Sequence, residues 1–261
     1  MKITTWNING VKARIEGAVQ YLKEASPDVI CFQEIKSIDE GFPRGAFEDL
    51  GYNVETHGQK GFNGVAILSK FRLEDITRGL PGDDSDDQAR WLEATVAGEG
   101  GTARVASLYL PNGNPIGTEK FSYKLAWMRR LESHVRKLMK DEAALVLAGD
   151  YNVIPEPEDA KRPDAWTSDA LFQPESRAAY RSLLNLGLTD AVRACHPEPG
   201  IYTFWDYQAG AFNKNDGIRI DHLLLSPQAA DRLRSAGVDK HTRAHEKPSD
   251  HAPAWIDLDL T

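Results

Sequence analysis

Residues 144–152 read ALVLAGDYN, a short apolar run that stops at Gly149 and continues with Asp150 and Asn152. An apolar run of this length that is bounded by turn residues is typical of a buried β-strand. The same change from apolar to carboxylate or amide side chains occurs in three other segments: WNIN at 6–9, FQE at 32–34 and RID at 219–221. Strands that end at one edge of a sheet bring their last residues together. The sequence therefore predicts one polar site assembled from strand ends.

Strand-like runs alternate with amphipathic segments along the whole chain, and this pattern favours an α/β fold over a helical bundle or a β-sandwich. We predict helices at 11–24, 118–140, 177–186 and 227–236, the last beginning with the helix-start pair Ser226-Pro227. We predict strands at 2–8, 28–34, 53–57, 64–69, 90–97, 103–110, 144–150, 202–206, 219–226 and 252–259. No linker separates two differently patterned halves, so residues 1–261 are predicted to form a single domain.

The composition is that of an ordinary folded protein, with 41% hydrophobic and 27% charged residues. The formal net charge of -8 argues against a protein that coats nucleic acid through bulk charge, although a local basic patch would still allow DNA contacts. The two cysteines, Cys31 and Cys195, provide neither a disulfide framework nor zinc-ligand spacing. Because the chain also begins without a long apolar segment, we expect a cytoplasmic, monomeric protein without membrane association.

If the polar residues at the strand ends meet, they form a site suited to a hard cation. Carboxylate and amide oxygens are the ligands that Mg²⁺ prefers, whereas each such residue taken alone most often caps a turn. His251 follows Asp250 late in the chain and adds a group that can donate or accept a proton. His222 is expected to point away from the site, and structural roles are expected for the other histidines: His57, His134, His196, His241 and His245. The five residues expected to converge are Asn7, Glu34, Asp150, Asn152 and Asp221.

Eight short motifs in the same order resemble the exonuclease III family of abasic-site endonucleases, in its bacterial branch. The match runs from residue 4 to residue 256, and eight motifs in the correct order are far more specific than any one of them. The motifs are WNING at 6–10, QEIK at 33–36, HGQKG at 57–61, YLPNG at 109–113, GDYN at 149–152, YTFWDY at 202–207, GIRID at 217–221 and KPSDHAP at 247–253.

This resemblance implies a four-layer α/β sandwich like that of deoxyribonuclease I, in which two mixed β-sheets pack face to face with helices outside. It also implies Mg²⁺-assisted hydrolysis, with Mn²⁺ as a possible substitute, of the phosphodiester 5′ to an abasic site in duplex DNA. The implied accompanying activities are 3′-to-5′ exonuclease and 3′-phosphodiesterase, so the expected partner is duplex DNA with abasic sites or blocked 3′ ends.

The resemblance assigns roles to individual residues as well. Glu34 is implied to be the main metal ligand, with Asn7, Asn9 and Asp250 nearby. His251 is implied to contact the scissile phosphate while Asp221 orients it. Asp150 and Asn152 are implied to position the attacking water, and either Asp150 or Tyr109 removes its proton. The implied contacts to phosphate oxygens also include Tyr109 and Asn112.

Two further sets concern the DNA. By resemblance, a pocket for a flipped-out abasic sugar consists of Phe204, Ile218 and Ile220, although some relatives carry Trp at the position of Ile218 and Ile220 is also interpretable as core. The segment 210–216 is the best-placed loop to enter a DNA groove. Basic residues that could contact phosphates on either side of the site are Lys36, Lys60, Lys120, Lys124, Lys214 and Arg219.

Two alternatives stay open from the sequence. One is a nonspecific exodeoxyribonuclease with no preference for abasic sites, and the other is a catalytically inert DNA-binding relative on the same fold. The inert alternative is disfavoured because every expected site position carries a chemically competent residue. Inositol polyphosphate phosphatases and sphingomyelinases share the chemistry, but their resemblance to this chain is weaker.

Overall fold

Two six-stranded mixed β-sheets form the centre of the molecule. The structure is a computed structural model that describes residues 1–98 and 100–260. The strands are β1 (Lys2–Asn7), β2 (Val29–Gln33), β3 (Asn53–His57), β4 (Val65–Ser69), β5 (Arg72–Arg78), β6 (Trp91–Gly98), β7 (Gly101–Tyr109), β8 (Leu145–Asp150), β9 (Thr189–Asp190), β10 (Asp221–Leu225), β11 (Leu233–Val238) and β12 (Ala254–Leu258). The helices are α1 (Ile15–Ala25), α2 (Arg44–Glu48), α3 (Glu119–Leu138), α4 (Pro174–Leu184), α5 (Ala191–Cys195) and α6 (Pro227–Ala230).

The strand order brings several strand ends to one edge of the molecule. The first sheet has the order β11-β12-β1-β2-β4-β3 and the second has the order β5-β6-β7-β8-β10-β9. The pairs β1–β2 and β7–β8 are parallel, so the carboxyl ends of all four strands lie at the same end of their sheets. β10 is antiparallel to β8 and begins where β8 ends, with Asp221 opposite Asp150.

Each sheet is covered on both faces, which explains why the central strands read as continuous apolar runs. Alternate residues of the two sheets, such as Cys31 and Val146, pack in the core between them. On the other face of the first sheet, Phe32 packs in a cluster with α1 and α2, where the rings of Trp6 and Tyr21 lie 5.3 Å apart. α3 and α4 cover the outer face of the second sheet in the same way. The predicted four-layer sandwich is therefore confirmed.

The long helices follow their predicted apolar spacing. In α3, the side chains of Trp127, Leu131 and Val135 recur every four residues and are buried against the second sheet. Burying a side chain of this kind contributes about 2–3 kcal/mol through the hydrophobic effect. No helix in residues 1–98 and 100–260 combines the length and the apolar character needed to cross a bilayer.

The segment after β10 differs from the prediction. The expected helix at 227–236 begins as predicted, but it ends after one turn, and β11 follows. β11 pairs with β12, and Gly237 permits this pairing because a Cβ atom there would lie 2.8 Å from the ring of Trp255. Tertiary pairing therefore outweighs the local helix signal.

Other differences have similar causes. The predicted strand at 202–206 makes only isolated bridges, in which Phe204 pairs with Ile218 and His251. The prediction also missed β5, where four of seven residues are charged, which is a common feature of edge strands. The remaining missed elements are too short to carry a clear pattern: β9, α2 and α5.

Candidate active site

Side chains from both sheets meet at the common edge. Asn7 ends β1, Glu34 follows β2, and Tyr109 ends β7 beside Asp150, which ends β8. The Nδ2 group of Asn7 donates to Asp150 Oδ2 over 2.9 Å, and this hydrogen bond crosses from one sheet to the other. The strand-end residues predicted from the sequence do converge.

The backbone around Glu34 is held in an unusual conformation. Glu34 and Asn9 have φ values of 47° and 48°, in the left-handed region that non-glycine residues rarely adopt. Their loops are joined by a hydrogen bond from the Gly10 N–H to the Glu34 carbonyl, 2.7 Å long. Such conformations cost about 1–3 kcal/mol each and persist where neighbouring structure fixes them. Both side chains are thus oriented by the backbone.

Asn7 bridges the two carboxylates. Its Nδ2 group also donates to Glu34 Oε1 at 3.0 Å, while its Oδ1 atom accepts the Asn9 N–H at 3.0 Å. The amide therefore presents nitrogen to Glu34 and Asp150. Asn7 bridges the two carboxylates in this arrangement, and its role as a metal ligand stays a prediction.

Two of the other expected metal ligands, Glu34 and Asn9, present oxygen atoms to a cationic side chain. The ammonium group of Lys36 lies 3.1 Å from Glu34 Oε2 and 2.6 Å from Asn9 Oδ1. Asn9 in turn donates to Asp250 Oδ1 over 3.0 Å. Burial alone would raise the pKa of Glu34, but the hydrogen bond from Asn7 and the charge of Lys36 outweigh it and lower that pKa. Oxygen donors around a stand-in positive charge fit a hard divalent cation.

His251 lies between two acidic side chains. Its Nδ1 atom is 2.8 Å from Asp221 Oδ2, and its Nε2 atom is 3.8 Å from Asp150 Oδ2, too far for a hydrogen bond. Burial disfavours the imidazolium ion, but the charges of Asp221 and Asp150 outweigh this effect and raise the pKa of His251 to about 10. At neutral pH the ring is therefore charged, with Nε2–H free to donate.

Asp150 is buried, and this burial is the largest cause that raises its pKa, to about 7. The charge of His251 opposes the increase. Asp150 Oδ1 accepts the backbone N–H of Asn152 at 2.9 Å. Together with Asp221 and His251, Asp150 also offers three ligand atoms within 4.8 Å of one another.

Lys124 holds two loops of the site together and does not face solvent. It was predicted to contact DNA phosphates, but it lies in α3, within the predicted helix 118–140, with a relative exposure of 0%. Its ammonium group donates to the carbonyl oxygens of Asn112 and Asn152. Burial lowers the pKa of Lys124 to about 7. The Nδ2 group of Asn112 lies 3.4 Å from Asn152 Oδ1, so these two amides also meet as expected.

Tyr109 keeps its proton in this environment. Burial, followed by the negative charges of Glu34 and Asp150, raises the pKa of Tyr109 well above its usual value. The guanidinium group of Arg90 lies 4.8 Å from the ring centroid. The phenol is therefore a hydrogen-bond donor at neutral pH.

Arg219 is the second basic residue whose predicted position is wrong. Its relative exposure is 1%, and it pairs with Asp159 and Asp190 at 2.7 Å each. It also lies 3.0 Å from Nδ1 of His222, which is buried outside the site as expected. These buried partners keep the guanidinium group away from solvent and from DNA phosphates.

The predicted abasic pocket corresponds in part to a cleft of about 330 Å³. Phe204 and Ile218 line the cleft, and the ring of Phe204 lies 5.1 Å from the ring of His251. Ile220 does not line it and packs in an apolar cluster with Ile154 and Leu171. Trp166 lines the cleft but was missed, since nothing in the local sequence pattern distinguishes it from other loop residues.

The remaining predicted basic residues are accessible. Lys60, Lys120 and Lys214 are exposed, and Lys36 is half-buried beside Glu34. Two exposed aromatic side chains were not predicted as site residues from the sequence: Phe62 in the loop of Lys60 and Tyr207 next to Asn9. An aromatic residue in a glycine-rich loop was the available signal for Phe62.

Comparison with known proteins agrees with this geometry. Residues 4–251 match the model of the Endonuclease/Exonuclease/phosphatase family. The chain belongs to this family. As a member of the Endonuclease/Exonuclease/phosphatase family, it is a metal-dependent phosphodiesterase.

Several members of the Endonuclease/Exonuclease/phosphatase family resemble this chain over their full lengths, and they include DNA nucleases. Exodeoxyribonuclease III of Haemophilus influenzae is 38% identical, and the match covers 99% of this chain and 100% of that protein. An AP endonuclease from Archaeoglobus fulgidus has a TM-score of 0.94 and 38% identity, with 99% of each chain covered. The 3′ phosphatase NExo from Neisseria, in a structure bound to a product DNA hairpin, has a TM-score of 0.95 and 39% identity, again with 99% of each chain covered.

Proposed function

We propose that this protein hydrolyses the phosphodiester bond 5′ to an abasic site in duplex DNA. We further propose that it trims 3′ ends through 3′-to-5′ exonuclease and 3′-phosphodiesterase activities. The observation that carries the proposal is the position of His251, which is held between Asp221 and Asp150 near Glu34, Asn9 and Asp250. This arrangement places groups for both halves of an in-line displacement at one edge of the sheets.

The proposed cofactor is Mg²⁺, with Mn²⁺ as a substitute, held by Glu34, Asp250 and Asn9. A divalent cation there supplies charge stabilisation for phosphate oxygens in the transition state. The chain itself supplies the N–H donor of His251 and the O–H donor of Tyr109. Removal of one donor of this kind lowers the rate by about 10²- to 10³-fold.

Asp150 is the proposed general base. With a pKa near 7 it is substantially ionised at neutral pH and can still accept a proton from a nucleophilic water. Tyr109 is unsuited to this role because its raised pKa keeps the phenol protonated. We propose that Asn152 holds the same water, since its amide is fixed by a 2.9 Å hydrogen bond from Nδ2 to the Leu110 carbonyl oxygen.

We propose that the cleft lined by Phe204, Ile218 and Trp166 receives the flipped-out sugar. Its position beside His251 would place the adjoining phosphate at the catalytic groups. Lys60, Lys120 and Lys214, with the loop 210–216, are proposed to contact DNA phosphates, and exposed Phe62 is proposed to contact the adjoining nucleotides.

Three further expectations belong to the proposal. Residues 1–261 are proposed to form one domain, because both sheets contribute to one shared core. The protein is proposed to act in the cytoplasm, as its bacterial relative and its cysteine usage suggest. A monomer is proposed as the simplest oligomeric state.

The test is cleavage of a duplex with one tetrahydrofuran abasic analogue, compared with intact duplex and with a 3′-phosphate end. A nick 5′ to the analogue is expected with Mg²⁺ and not with a chelator. Asp150→Asn should slow the nick by about 10²- to 10⁴-fold, because the water then loses its base. Phe204→Ala should reduce the preference for the analogue while 3′-end trimming continues.

Phe172→Ala is the matched control for the pocket variant. Phe172 packs against the same apolar cluster as Phe204 but does not line the cleft, so the preference should be retained. Metal-dependent degradation of intact DNA without any preference would replace the proposal with a nonspecific exodeoxyribonuclease. Binding of DNA with no turnover of any substrate would replace it with the inert alternative.

A further inference from the structure

A second group of metal-ligating side chains lies outside the strand-end site. It consists of Glu24 near the end of α1 and of His241 and His245, which lie in and just after the 3-10 helix Lys240–Ala244. One ligand atom from each residue lies within 4.8 Å of the other two. Both histidines were predicted to be structural from the sequence, but the fold brings them together with a carboxylate from a distant part of the chain.

The donor set points to a particular class of cation. Two imidazole nitrogens and one carboxylate oxygen suit borderline divalent ions such as Zn²⁺, which bind such ligands with one position left for water. Each ligand atom would lie about 2.0–2.2 Å from zinc, so the ligand atoms would be about 3–4 Å from one another. His241 Nε2 lies 3.9 Å from Glu24 Oε2, and the His241 and His245 ring centroids are 5.7 Å apart. This spacing is close to what the ion requires.

The backbone on both sides of the cluster is fixed without any ion. The hydroxyl of Tyr21, one turn before Glu24, donates to Asp239 Oδ2 over 2.8 Å. Asp239 immediately precedes the 3-10 helix and also accepts the indole N–H of Trp255 at 3.1 Å. Gln20 donates to Oε1 of Glu24 over 2.7 Å, which leaves Oε2 towards His241. Fixed elements and an oriented carboxylate reduce the ordering that an ion would have to impose.

The same short helix supports the catalytic loop from its other face. Arg243 is buried and donates to the carbonyl oxygens of Ser249 and Trp205, at 2.9 and 3.0 Å. The hydroxyl of Ser249 lies 2.6 Å from the Asn7 carbonyl oxygen and 3.2 Å from the backbone N of His251. An ion on the outer face would therefore fix the segment that holds the His251 loop in place.

We propose that Glu24, His241 and His245 form a second metal site for a borderline divalent cation such as Zn²⁺. The bound ion ties α1 to the turn that supports the His251 loop. The site is independent of the hard-cation set around Glu34, because it shares no ligand with that set.

The test is calorimetric titration of the full chain with Zn²⁺ in excess Mg²⁺. We expect one Zn²⁺ per chain with a Kd tighter than about 10 µM. His241→Ala, His245→Ala and Glu24→Gln should each weaken binding by at least about tenfold, since each removes one ligand. Glu16→Gln, which changes another exposed glutamate of α1, should bind Zn²⁺ as the unmodified protein does.

Asp150→Asn distinguishes this site from the buried group Asp150, Asp221 and His251. Zn²⁺ binding that survives Asp150→Asn and is lost in His241→Ala supports the proposal. Binding that is lost in Asp150→Asn and survives in the three ligand variants overturns it, and so does a Kd weaker than about 10 µM in the unmodified protein.

Thermal unfolding provides a second readout. Zn²⁺ should raise the Tm of the unmodified protein and of Glu16→Gln, because an ion that binds only the folded state stabilises it. The double variant H241A/H245A should show no such increase, and an equal increase in that variant contradicts the proposed ligands.

Discussion

At the scale of single residues, charge type alone is a poor guide to role. Lys36, Lys124 and Arg219 are all basic, but one neutralises a carboxylate at the site, one joins two catalytic loops and one is buried in an ion-pair network. Asp and Glu residues at strand ends were easier to place from the sequence than basic residues, because the neighbouring apolar run fixes where the strand stops. Asp150 and Glu34 are examples in which sequence position determines spatial position.

The first prediction concerns the pair of Asp221 and His251. In the unmodified protein, kcat/KM should rise with pH through about 7 as Asp150 loses its proton, and should fall through about 10 as His251 loses its proton. Asp221→Asn removes the main charge that raises the pKa of His251, so the alkaline fall should move to lower pH by roughly 1–3 units. The pH profile of abasic-duplex cleavage measures this shift.

Asp231→Asn is the control, because Asp231 is exposed at the end of α6. This variant should leave both the rise of kcat/KM near pH 7 and its fall near pH 10 unchanged. An alkaline limb that stays unchanged in Asp221→Asn would show that Asp221 does not set the charge of His251.

At the scale of elements, the sequence predicted the central strands and the long helices but not every short element. β2 and β8 are apolar throughout, so local pattern and tertiary burial agree. β11 and the segment 202–206 depend on distant partners, namely β12 in one case and the backbone at Ile218 and His251 in the other. Lys124 and Arg219 were misplaced for the same reason, since the partners that make their burial tolerable are far away in the chain. The catalytic groups were thus largely predictable, whereas their supporting contacts were not.

The second prediction concerns the segment that leads into β10. Arg219→Leu should lower the free energy of unfolding by about 3–5 kcal/mol, because the carboxylates of Asp159 and Asp190 lose a buried partner. Arg162→Leu removes an exposed pair with Asp216, and the loss there should be much smaller, because solvent screens an exposed ion pair. Urea denaturation followed by circular dichroism compares the two variants. Equal losses would mean that the buried network contributes no more than a surface pair.

At the scale of the whole molecule, burial of ionisable groups sets the pH range in which the fold is stable. Burial is the largest cause that lowers the pKa of His222, to about 4, and the charge of Arg219 adds to it. An unfolded histidine binds a proton near its ordinary pKa of 6.5, whereas the folded one does not until about pH 4. The contribution of neutral, buried His222 to the free energy of unfolding is therefore complete above pH 6.5, and it is lost as the pH falls towards 4.

The third prediction follows from the lowered pKa of His222. The free energy of unfolding should fall by up to about 3 kcal/mol between pH 7 and pH 4 because of His222 alone. His222→Gln should reduce this loss, while His241→Gln at an exposed position should leave it unchanged. Urea denaturation at several pH values measures the free energy of unfolding of the unmodified protein and of both variants. A loss of the same size in His222→Gln would assign the acid sensitivity to other groups.

The division of the active site between the two sheets has a mechanical consequence. Asn7 and Glu34 belong to one sheet and Asp150 and Asp221 to the other, and the hydrogen bond from Asn7 to Asp150 is 2.9 Å long. A slide of one sheet along the other by little more than an ångström would break this bond and separate the reacting groups, while every strand kept its own neighbours. Loss of catalytic activity would therefore report a displacement between the two sheets that a spectroscopic measure of secondary structure would not detect.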